Sequence, residues 1–121
     1  MKLVLNAWLI MMMQGIAEST LIADKFGFKP EEFWQSLLGG PLAAPYVKDK
    51  LDMIARNDFS PQMQLVHALK DANLALDAAE TINLPVLSKI GVCWDNAAEA
   101  GYASLDLAAV YVWLSRQSAP I

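Results

Sequence analysis

One cysteine and one histidine, Cys93 and His67, are all that 121 residues carry of either type. A single thiol cannot close an internal disulfide, which fits a reducing compartment and leads us to expect a cytoplasmic chain. One His and one Cys also exclude a conventional zinc cluster, so no metal site is expected. Charge is sparse: 18% of residues are Asp, Glu, Lys or Arg, and the net charge is −4. No basic run exists, so a nucleic-acid partner finds no electrostatic footprint. The glycine fingerprint G-x-G-x-x-G, a P-loop, a G-x-S-x-G elbow and a paired-cysteine motif are missing as well. No stretch alternates strongly enough to make a strand, which leaves an all-α chain.

What is abundant is apolar side chain, 55% of the sequence. The length suits one domain with a core that needs neither disulfide nor metal. The apolar excess predicts further apolar surface used against a partner subunit or another domain. It is concentrated in the first stretch, Met1 to Gly27, whose first thirteen residues are interrupted only by Lys2 and Asn6. A secretory signal is one reading, but Asn6 and Trp8 lie inside the apolar region and Ile16-Ala17-Glu18 is a poor cleavage site. A membrane span needs about twenty uninterrupted apolar residues, and Asn6, Gln14 and Glu18 break the run. A central core helix remains. Lys2 and Asn6 are four apart and share one face, continued by Leu9 and Met13, which puts the polar pair at the mouth of a buried stripe.

Downstream, helix follows helix around that first one. Gly27 suits the C′ position that ends it, and Pro30 with Glu31 and Glu32 suits the start of a second, stopped at Gly39-Gly40. The segment from Gly39 to Pro45 reads as a rigid turn. A third helix runs from about Tyr46 to Arg56, burying Val47, Leu51 and Ile54. Ser60-Pro61 restarts the chain as N-cap and first residue of a fourth helix from about Gln62 to Ile82. Its apolar stripe is Leu65, Val66, Leu69, Ala72, Leu76 and Ala79. Leu84-Pro85 opens a fifth helix ending at Gly101, and Ser104 or Asp106 caps a sixth from about Leu107 to Ser115.

Read alone, the polar residues have ordinary explanations. Lys2 is a terminal lysine, Lys70-Asp71 is the solvated edge of an amphipathic helix, and His67 is a surface histidine. Met11, Met12 and Met13 point three ways and fill a core.

Their order says more. Lys2-Leu3-x-x-Asn6, Ala17-Glu18 before Ala23-x-x-x-Gly27, Pro30, Lys70-Asp71, Leu84-Pro85, Gly101 and Asp106 together resemble the β-hydroxyacid dehydrogenase family. The likeness is to the C-terminal helical domain of 3-hydroxyisobutyrate dehydrogenase-like and glyoxylate/succinic-semialdehyde reductase-like members, over about Met1 to Leu114. It implies an all-α, six-helix fold like the C-terminal domain of 6-phosphogluconate dehydrogenase, spanning residues 1–121. It further implies a separate N-terminal Rossmann domain that binds NAD or NADP. No glycine-rich segment precedes Lys2, so the chain is expected to be a domain cut from a longer protein and inactive by itself.

The resemblance assigns Lys2 as the catalytic lysine, beside the alkoxide that develops when a β-hydroxyl is oxidised. It assigns Asn6 to substrate binding and to holding the lysine's geometry, and Lys70 to the nicotinamide end of the cleft. Asp71 accompanies Lys70 as structural support, and Asp106 is more simply a helix cap. The substrate implied is a small β-hydroxyacid such as 3-hydroxyisobutyrate, or its semialdehyde, handled by a homodimer or tetramer. Two departures stand out. Many members have two successive asparagines where this chain has Leu5-Asn6, and Gln64 and His67 surround Lys70 where other members vary. The alternative is a non-catalytic helical dimerisation module.

Overall fold

The computed structural model describes residues 1–117. Its six α-helices are α1 (Lys2–Lys25), α2 (Pro30–Leu37), α3 (Pro45–Arg56), α4 (Leu65–Ala79), α5 (Pro85–Ala97) and α6 (Val110–Gln117). Among the described residues there is no strand, only one isolated antiparallel bridge between Gln64 and Asp106. At about 1.5 Å per residue α1 is roughly 36 Å long. It packs on α4 and α6 most extensively, and also on α3, α5 and α2. The all-α architecture around the first helix is therefore as the periodicity implies. No described helix is long and apolar enough to cross a membrane.

Local chemistry sets most helix ends. The Gly27 N–H donates to the Asp24 carbonyl at 3.0 Å and the Phe28 N–H to Ala23 at 2.8 Å, with Gly27 at φ 83°. That paired closure satisfies two otherwise orphaned carbonyls and needs a residue that tolerates positive φ. Asn57, at φ 53°, ends α3 the same way. Pro30, Pro45 and Pro85 each occupy a first helical position, where the missing N–H costs nothing. The Glu32 carboxylate accepts from the Lys29 N–H at 3.0 Å, closing the start of α2.

The fourth helix is shorter than its periodicity predicts: it begins at Leu65, not Gln62, and ends at Ala79, not Ile82. Long-range bonds account for the late start. The Leu65 N–H donates to the Leu105 carbonyl at 2.8 Å and the Val66 N–H to Ala103 at 3.0 Å. Leu107 donates back to Met63 at 3.0 Å, and Asp106 to Phe59 at 2.9 Å. Ser60 does not cap a helix, because its hydroxyl and N–H both donate to the Asp58 carboxylate. Those two bonds, the hydroxyl's first, hold the Asp58 carboxyl below its ordinary range. Val66 is 38% exposed, so the buried stripe of α4 is Leu65, Ala68, Leu69 and Ala72.

The last helix is reached through a wider turn at Ala98–Tyr102, in which Gly101 has φ 108°, and a 3₁₀ turn at Leu107–Ala109. Asp106, and not Ser104, is the cap: its carboxylate accepts from the Ala108 N–H at 3.0 Å.

The core joins Ile10, Met13, Ile16 and Ala17 of α1 to Leu51 and Ile54 of α3, Leu65 and Leu69 of α4, Ile90 and Trp94 of α5, and Leu107 and Val110. Fully buried Trp94 donates its indole N–H to Gln14 Oε1 at 2.7 Å, and Gln14 donates on to Glu18 at 2.8 Å. Lys50 lies on the buried face of α3 beside Val47 and Leu51, where sequence periodicity gave no reason to expect a cation.

Candidate functional site

The polar end of α1 grades from solvent into the core along a single face. Lys2 is exposed, Asn6 and Leu9 are half-buried, and Met13 is fully buried. Side chains on a helix lean toward its N-terminus, so Asn6 leans into the turn that carries Lys2. Asn6 Nδ2 donates to Asp71 Oδ2 at 2.8 Å, a half-buried bond that ties α1 to α4 across sixty-five residues of sequence. The expected substrate residue thus meets the second half of the Lys70-Asp71 pair. Among the described residues no side-chain hydrogen bond or ion pair involves Lys2, which is exposed.

Lys70 points elsewhere. At about 100° per residue it sits a quarter-turn around α4 from Asp71. It is exposed and lines a shallow groove with Val66, Leu69, Asn73, Leu74 and Asp77. Among the described residues it has no ion-pair partner, which leaves its charge available to an anionic group. His67, one turn before Asp71, is exposed as well.

Asp106 does more than cap. One carboxylate oxygen accepts from the Gln62 and Met63 N–H groups at 2.9 and 3.1 Å. The other accepts from Ala108 and from Lys50 Nζ, each at 3.0 Å. Both charged side chains are almost completely buried, at 2% and 0% exposure. The Lys50 ammonium also lies 5.4 Å from the centre of the Tyr46 ring. Among the described residues the buried Tyr46 hydroxyl has no hydrogen-bond partner, and burial, with Asp106 nearby, pushes its pKa well above the ordinary phenol value. This node holds the loop that leads into α4. Sequence reasoning missed Lys50; the only signal was a lysine at i+3 from Val47 on an apolar helix face.

On the opposite side of α1, Leu3, Val4, Ala7 and Trp8 face Ala75, Leu84 and Val86 across an open apolar groove of about 780 Å³. Val4, Trp8 and Val86 are 62%, 59% and 60% exposed, so the expected surplus of apolar surface is present. Among the described residues no cluster of His, Cys, Asp or Glu could hold a metal.

A long first helix carrying Lys2 and Asn6 thus packs on a fourth helix carrying Lys70 and Asp71 in an all-α arrangement. Residues 1–114 match the family described as NAD-binding of NADP-dependent 3-hydroxyisobutyrate dehydrogenase, and the chain belongs to that family. It is similar to the cytokine-like nuclear factor N-PAC of Aedes aegypti, 34% identical over 93% of this chain and 20% of that one. It is also similar to an uncharacterized oxidoreductase, YfjR, of Bacillus subtilis, 30% identical over 90% of this chain and 39% of the relative. The fold matches the Mycobacterium tuberculosis 3-hydroxyisobutyrate dehydrogenase described with L-serine. There the TM-score is 0.82 at 26% identity, over 93% of this chain and 42% of that one. The chain therefore spans well under half the length of each.

Proposed function

We propose that residues 1–121 form the C-terminal helical domain of an NAD(P)-dependent oxidoreductase acting on a small β-hydroxyacid, such as 3-hydroxyisobutyrate, or on the corresponding semialdehyde. The dinucleotide is held mainly by a Rossmann domain upstream, because this chain has no glycine fingerprint of its own. When bound, the nicotinamide supplies hydride transfer; this chain contributes the groups that bind substrate and move its proton. Lys2 exchanges the proton of the β-hydroxyl as carbon–hydrogen cleavage proceeds, and returns it in the reductive direction. Asn6 binds the substrate beside it. Lys70, without an ion-pair partner among the described residues, lies toward the dinucleotide, whose negative charge suits it. The observation that carries this reading is the Asn6–Asp71 bond, which draws the α4 carboxylate to the turn next to Lys2.

The apolar faces at Val4, Trp8 and Val86 support burial against the upstream domain or in a homodimer or tetramer, which sedimentation velocity would detect. The second reading, a non-catalytic helical dimerisation module, draws support from the Aedes aegypti relative, whose name is that of a nuclear factor.

The deciding assay uses the chain extended upstream by a dinucleotide-binding domain. NAD⁺ and NADP⁺ reduction is followed over a panel of small β-hydroxyacids, beside a Lys2→Ala variant. Turnover that falls by about two to four orders of magnitude in the variant, with dinucleotide affinity retained, is the expected result. Turnover indifferent to Lys2, or none at all, gives the position to the dimerisation module.

A further inference from the structure

The Asn6–Asp71 bond has a direction. An ionised carboxylate only accepts hydrogen bonds, so the end of the Asn6 amide that faces Asp71 must be its NH₂ group. The observed contact is Nδ2 to Oδ2 at 2.8 Å. With Nδ2 engaged by Asp71, the amide oxygen is the end of the group left for another partner. Both residues are half-buried, where a satisfied hydrogen bond holds an orientation more firmly than in open solvent. An asparagine without such an anchor could turn either end to a ligand.

We infer that Asp71 is a positioning residue: it fixes the Asn6 amide so that an acceptor, Oδ1, is offered at the Lys2 turn, selecting a ligand that brings a hydrogen-bond donor. Resting on the reading under Proposed function, this gives the site a preference between the two forms of its substrate. The hydroxyacid's single hydroxyl proton can donate to Oδ1 in the bound ground state, which is what KM reads, and turn to Lys2 only as it is transferred; the semialdehyde carries a carbonyl that only accepts. Asp71 acts through Asn6 and touches no substrate.

Two measurements test the inference. In this chain itself, heteronuclear NMR reads the Asn6 side-chain amide. One of its protons should be protected from exchange, and Asp71→Ala should abolish that protection while circular dichroism shows the helices intact. An Asn6 amide with no protection, or one indifferent to Asp71→Ala, overturns the orientation.

In the upstream-extended enzyme, Asp71→Asn keeps size and hydrogen-bonding capacity but can present either end to Asn6. The KM for the hydroxyacid should rise about tenfold, while the semialdehyde KM moves less than about twofold. The melting temperature and dinucleotide affinity should be retained. Asp71→Glu, still acceptor-only, should recover part of the loss. A purely structural bridge would move both KM values together or neither, and either result overturns the inference. Should the extended protein oxidise no β-hydroxyacid, the functional reading falls, and the exchange experiment still decides whether Asp71 orients Asn6.

Discussion

Lys50 and Asp106 form an ion pair 3.0 Å long with both side chains out of solvent, joining the middle of α3 to the turn before α6. The lysine brings one opposite charge, a Gln62 oxygen at 3.5 Å and a methionine sulfur at 3.8 Å; the aspartate brings three backbone N–H donors besides. The two partners are therefore not equivalent.

Removing either side of a buried pair leaves an uncompensated charge, at a cost of about 3–5 kcal/mol. Lys50→Met leaves Asp106 with three N–H donors, whereas Asp106→Ala strands the ammonium and those three N–H groups together. Asp106→Ala should be the more damaging, in urea titrations followed by far-ultraviolet circular dichroism. The reverse order would show that the backbone contacts contribute little.

Gln14→Leu should destabilise the domain by about 1–3 kcal/mol although it adds apolar bulk to a core position. The reason is the Trp94 indole N–H, fully buried and donating to Gln14 at 2.7 Å. The check is the denaturation midpoint, compared with that of Gln14→Glu, which keeps an acceptor.

Gly27→Ala forces a Cβ into positive φ at the end of α1 and should cost about 1 kcal/mol. Nothing lies within 4 Å of the added Cβ, so crowding adds nothing to the backbone term. Asn57→Gly, at the matching end of α3, should change the midpoint little or raise it, since glycine accepts φ 53° more readily.

Cys93 should alkylate slowly. Burial pushes its thiol above the ordinary value, Gln14 opposing and Glu18 adding to the rise. A raised pKa means less thiolate at any given pH, so the rate with iodoacetamide at pH 8 falls below that of a free cysteine. It should go on rising past the pH at which free cysteine levels off. A plateau at the free-cysteine pH would contradict this environment.

The local elements of the fold follow from short-range chemistry along the chain. The closure at Gly27, the prolines at the starts of α2 and α5, and the apolar spacing of α1 act within a few residues. They are legible because those residues meet whatever the rest of the chain does. Pro45, read as the end of a turn, is instead the first residue of α3. The order of Lys2, Asn6, Lys70 and Asp71 likewise sufficed to point to the family that the match over residues 1–114 establishes. Everything else depends on contacts between residues far apart in the chain. Helix α4 starts at Leu65 because Asp106 takes the Gln62 and Met63 N–H groups before it, while Leu105 and Ala103 take those of its first two residues. Lys50 is inside because its counter-ion arrives fifty-six residues later, and Asn6 is oriented because Asp71 arrives sixty-five residues later. A buried polar group is stable only beside its partner, and no window of sequence holds both.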